Sequence, residues 1–121
     1  IGYFDERFFA YYEDIDFSIR LKSKGYPVAM MNDSYLKHFE SASSKSLNQS
    51  EGNLSPYVHY LNIRNHILLL KKHSKLFNTI GVILYQAIKI LSYLIYFLIR
   101  FRFNKFKMVL KGLIDAINFK K

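Results

Sequence analysis

Residues 80–99, IGVILYQAIKILSYLIYFLI, constrain the chain more than any other stretch. They carry a single formal charge, Lys89, and as a helix they are long enough to cross a hydrocarbon core of about 30 Å. With period 3.6, Ile80, Ile83, Leu84, Ala87, Ile88, Leu91, Ile95 and Leu98 form an apolar stripe. Tyr85, Gln86, Lys89, Tyr93, Tyr96 and Arg100 take the flank and the opposite side. The tyrosines and the central lysine predict a helix lying at the headgroup level, with a spanning helix as the alternative.

Charge divides the chain in the same sense. The net formal charge is +9, but residues 1–59 hold six Lys/Arg against eight Asp/Glu, and residues 60–121 hold twelve against Asp115 alone. An acidic half therefore precedes a basic half suited to a polyanion, either nucleic acid or an anionic membrane. The last 22 residues, RFRFNKFKMVLKGLIDAINFKK, interleave aromatics with seven Lys/Arg. Such alternation suits single strands or anionic lipid. The apolar run before it favours lipid. No cysteine is present, which excludes disulfides and thiolate metal sites.

In the acidic half, FFAYYEDIDFSIRL (8–21) leads from aromatics into Glu13, Asp14 and Asp16. A helix starting near Glu13 places these acids where free N–H groups and the helix dipole favour negative charge. Asp16 and Arg20 are four apart and predict a pair across one turn. Lys24-Gly25 marks the helix end. Asp5-Glu6-Arg7 reads as a solvated corner. Tyr26–Met31 and Ser34–Phe39 have strand character, apolar on both faces, which predicts a covered sheet in an α/β fold. A Ser- and Asn-rich loop fills 40–56, and helical periodicity resumes from Tyr57 through Arg64 to Leu70.

Two segments carry a resemblance. Gly2–Phe9 reads G-x-F-D-E-x-F-F and Glu13–Leu21 reads E-D-x-D-x-x-x-R-L. Both resemble the second half of the catalytic domain in family 2 glycosyltransferases, in particular the bacterial rhamnosyltransferase-like branch. His38–Ser43 resembles that family's H-x-x-x-x-S segment, Arg64-Asn65 its R-N pair, and Lys111–Ile117 a short helix near its membrane-proximal elements.

The resemblance implies the C-terminal, acceptor-side part of a GT-A nucleotide-diphospho-sugar transferase domain over residues 1–70. Residues 71–121 follow as an amphipathic, membrane-associating helical tail. The donor-binding half is expected upstream, so this chain alone should be inactive. For the whole enzyme the resemblance implies inverting transfer of a sugar, rhamnose among the candidates, from a nucleoside-diphosphate donor to a glycan or polyprenyl-linked acceptor. Asp14 is then the general base and Glu13 its neighbour at the acceptor, with Asp5, Glu6 and Arg64 contacting substrate. His38 is expected to help hold Mn²⁺ or Mg²⁺ with residues outside this chain. The implied location is the cytoplasmic face of a membrane with anionic lipid, with no nucleic-acid partner. The rival expectation is a non-enzymatic basic module for membranes or nucleic acid.

Overall fold

The computed structural model describes residues 1–29, 32–33, 35, 45 and 51–119, and these fall into two compact units, Ile1–Ser43 and Ser44–Lys121.

The first unit is built on one helix, α1 (Glu13–Ser23), with three acids in its first turn and Arg20 and Lys22 in its last. Its entry is unusual. Phe9, Tyr11 and Tyr12 all have positive φ, and Tyr12, at the N-cap, offers no side-chain hydrogen bond. Side chains disfavour this left-handed region, so the aromatic lead-in is held under strain. The acids of the first turn supply the negative charge that a capping side chain would otherwise bring.

The second unit contains α2 (Pro56–Lys72), a single 3₁₀ turn (Ser74–Leu76), α3 (Thr79–Ile99) and α4 (Phe103–Asn118). Local chemistry sets the helix starts. Ser55 accepts from the Tyr57 N–H at 3.2 Å with Pro56 following, and Asn78 accepts from the Gly81 N–H at 2.9 Å. Arg102, at the start of α4, gives no side-chain cap. Glu51 replaces it from outside the helix, its two oxygens taking the N–H groups of Asn104 and Lys105 at 3.0 Å each. At the other end of α4 the Lys71 ammonium donates to the carbonyls of Ala116 (2.6 Å) and Ile117 (3.1 Å).

The core of this unit is Ile63, Ile90, Phe97 and Val109, one or two from each helix, flanked by Ile67, Leu94, Phe106 and Leu113. Residues 57–70, assigned from the sequence to the first segment, thus pack with the tail helices.

The α/β expectation is overturned. Among the described residues there is no strand, only an isolated bridge between Lys45 and Leu54, and a GT-A domain requires a central sheet. Tyr26–Ala29 is irregular, with Tyr26 and Val28 exposed. An alternating apolar pattern becomes a strand only beside another strand that takes its N–H and C=O groups, and the described residues supply none. Met30, Met31 and most of 34–39 lie outside the described residues.

Gly112 fixes how closely α2 and α4 approach. A Cβ there would stand 2.7 Å from the Tyr60 carbonyl oxygen and 3.3 Å from the Ile63 Cβ. In an exposed helix Gly→Ala helps by up to about 1 kcal/mol. Here the clash reverses the sign, and Gly112→Ala should cost about 1–3 kcal/mol, read as a lower denaturant midpoint by circular dichroism.

Candidate functional site

In the first unit the three acids of α1 have three different environments. Asp16 is fully buried and takes the Arg20 Nε–H at 2.9 Å. That is the pair predicted from their spacing. The same guanidinium donates to the carbonyls of Ile1 and Tyr3 (2.7 Å for Tyr3) and lies 5.2 Å over the Phe17 ring, which itself packs 5.0 Å from Phe4. Arg20 therefore ties the start of the G-x-F-D-E segment to the E-D-x-D helix, with each of its three nitrogens donating to an oxygen.

Asp14 differs. It is exposed, it accepts only from the adjacent Ile15 N–H at 2.8 Å, and it has no ion pair among the described residues. Glu13 is half-buried with its Oε2 buried and without a hydrogen-bond partner. A buried unpaired carboxylate oxygen is costly and gains from any donor brought to it. So Asp14 is presented, Glu13 is left needing a donor, and Asp16 is committed to the scaffold.

Asp5 is engaged by the Arg7 guanidinium, and Glu6 next to it is exposed. Arg64 belongs to the second unit, where it donates to Asn65 Oδ1 at 2.7 Å and lies 5.4 Å over the Phe119 ring. His38 lies outside the described residues. Among the described residues no three ligating side chains come together. Asp5 and Asp16 face guanidinium groups, and the cation site that the resemblance implies, His38 with residues outside this chain, lies beyond the described residues.

The second unit presents a different surface. In α3 only Gln86, Ile90 and Phe97 are buried, while Ile80 (72 % exposed), Ile83, Leu84, Ile88 (67 %), Leu91, Ile95, Leu98 and Ile99 (68 %) are open. Most of the stripe read from the sequence therefore faces outward. Of the polar side, Gln86 and Lys89 turn towards the protein, while Tyr85, Tyr93, Tyr96 and Arg100 stay exposed. The Lys89 Nζ sits 2.8 Å from His66 Nδ1 of α2, and Gln86 is enclosed. Tyr85, Ser92, Tyr93 and Tyr96 form an edge between the two sides. Soluble domains rarely leave so continuous an apolar face uncovered. This helix alone among the described ones is long and apolar enough to cross a membrane.

Two histidines of α2 are neutral supports. His59 meets the edges of Phe97 and Tyr93 at 4.9 and 6.0 Å, and burial, reinforced by Lys105 and Arg102, lowers its pKa to about 4. Burial and then Lys89 lower His66 to about 4 as well, which leaves the ring uncharged beside the Lys89 ammonium, so that Nδ1 can accept its hydrogen bond.

Sequence reasoning gave no role to Glu51 or Gly112 and placed Gln86 only on the flank of residues 80–99. Glu51 is a lone acid in a polar loop and offered no signal. Gly112 did, as a glycine inside a helical pattern.

No known protein family, curated protein or solved structure matches the chain.

The depressed histidines give stability a pH dependence. Their folded pKa lies below the unfolded value of about 6.5, so the unfolded chain takes up protons first as pH falls. This contribution is complete above about pH 6.5 and erodes towards pH 4. Thermal midpoints measured from pH 7 to pH 5 should fall, and the slope should flatten in a His59→Phe, His66→Gln double variant.

Proposed function

We propose that the chain is the acceptor-side, membrane-attached end of a nucleotide-sugar-dependent glycosyltransferase, resembling the rhamnosyltransferase-like branch, working at the cytoplasmic face of a membrane. The observation that carries the enzymatic part is the separation of roles in α1. Asp16 is consumed by Arg20, whereas Asp14, on the same turn, stands exposed and without an ion pair among the described residues. A general base must reach its substrate, and a carboxylate buried against a guanidinium does not.

In this reading Asp14 takes the proton from an acceptor hydroxyl while that oxygen attacks the anomeric carbon. The bond to the nucleoside diphosphate breaks with its electron pair leaving on the diphosphate, and configuration inverts. Glu13, with its unpaired Oε2, accepts a second hydroxyl of the acceptor and orients it. Asp5 and Arg7, paired in the adjoining turn, hold the approach loop, and Glu6 contacts the acceptor from it. The reading rests on these residues and not on a sheet.

The test compares two variants in the full-length enzyme. Asp14→Asn should lower turnover roughly 100-fold or more with donor affinity and thermal midpoint nearly unchanged. Asp16→Asn should instead lower the midpoint, because it leaves the Arg20 charge uncompensated. Near-normal transfer by Asp14→Asn removes the assignment.

Membrane attachment rests on the outward apolar face of α3 and on the basic residues of the second half. A strictly membrane-binding, non-enzymatic module is the second reading, favoured by the same face. Each fully buried Leu or Ile contributes about 1.5–3 kcal/mol, and each basic residue near anionic lipid about 1 kcal/mol. In flotation assays the chain should bind anionic vesicles and release partly in high salt. A C-terminal tag should stay open to added protease, and its protection on the far side would show that α3 spans.

A further inference from the structure

A groove of about 620 Å³ runs between α2, α3 and α4, walled by side chains such as Ile67, Val82, Ile90, Leu94, Leu113 and Ile117. That volume falls within the range of small-molecule sites, roughly 300–1,000 Å³. Its lining is mostly apolar, with Lys71, Ser74, Thr79 and Gln86 as the polar side chains, and one of these is buried. Gln86 is 8 % exposed, and both Oε1 and Nε2 are buried without a hydrogen-bond partner. A primary amide enclosed by hydrocarbon and left unpaired is unfavourable, and a ligand carrying a carbonyl or hydroxyl relieves it. Removing one such partner from a finished site is costly, so the unpaired amide marks where a polar group belongs.

Two further features say what the occupant is. Ile83 and Leu91 line the groove and are also 61 % and 58 % exposed, as part of the outward apolar strip of α3. The groove is therefore continuous with the face that the membrane reading turns towards lipid, and a hydrocarbon chain enters it without crossing water. Lys71 and Ser74 also line it, and the Lys71 ammonium, with two of its three donors on the Ala116 and Ile117 carbonyls, sets a positive charge at that part of the wall. We propose that this groove holds an acyl chain of an anionic membrane phospholipid, with Gln86 bonded to the ester group and the remaining donor of Lys71 at the phosphate.

The proposal rests on the membrane reading for the route of entry, and the test separates the two. The full chain is mixed with vesicles containing phosphatidylglycerol that bears a photoactivatable group in one acyl chain, and labelled peptides are mapped. Label should concentrate on groove residues of α2 and α4 such as Ile67 and Leu113. Ala87→Trp, which fills the groove from an exposed position, should reduce that label at least 10-fold while flotation persists. Gln86→Leu should reduce it several-fold and raise the thermal midpoint of the lipid-free chain.

Label confined to the outward residues of α3, or unchanged in Ala87→Trp, overturns the groove. So does displacement by free palmitate at equal potency, which assigns the site to fatty acid, or chain-to-chain crosslinks that place a second copy there. If flotation fails while phosphatidylglycerol in detergent micelles still labels Ile67 and Leu113, the groove stands and the membrane reading falls.

Discussion

Because Gly112 carries no side chain, the backbone of α2 at Tyr60–Arg64 comes into contact with α4, and the packing of the helical unit follows from that approach. Val109 and Ile63 meet in the core only at this separation, and Phe97 and Ile90 of α3 close over them. The polar contacts depend on the same spacing. Tyr60 donates to Asp115 at 2.8 Å, and Lys71 reaches the last carbonyls of α4. Glu51 fixes the other end. α4 is thus held at its middle by packing and at both ends by charge-assisted hydrogen bonds, which are stronger than neutral ones. Its basic residues are left to face outward at Lys107 and Lys111.

Much of this was legible where a residue's partner lies within a few positions. The start of α1 at Glu13, its end by Lys24, the Asp16–Arg20 pair and the stripe on residues 80–99 all follow from local spacing. What failed was the reading that needed a distant partner. Tyr26–Ala29 has the alternation of a strand, and alternation says only which faces are apolar. Glu51 shows the same limit from the other direction. Its value lies in two N–H groups more than fifty positions away, and nothing around it in the sequence points there. The polar side of α3 was read correctly as a flank, but it lies partly against the protein, where His66 receives Lys89.

The acidic segment is organised by one guanidinium. Arg20 takes a carboxylate, two carbonyls and an aromatic face, and with the Phe4–Phe17 ring contact it joins the segments that resemble a transferase. The strain at Phe9, Tyr11 and Tyr12 sits immediately before the acids. Backbone held in a sparsely populated conformation persists where its surroundings over-determine it, and Phe8, fully buried, and Arg20 are the two anchors at hand.

The order of the helices along the chain has a consequence for how the protein is made. α2 and α4 share the closest contact, yet the 21 residues of α3 are synthesised between them. While α3 emerges from the ribosome, only the α2 part of the surface that will cover Ile90 and Phe97 exists, because Val109 of α4 is still to come. During that interval the inward apolar side chains of α3 are exposed along with its outward stripe, a state open to aggregation. A nascent chain built this way reaches its fold most safely if α3 is shielded before α4 arrives, so the order of the helices sets when the chain is most exposed.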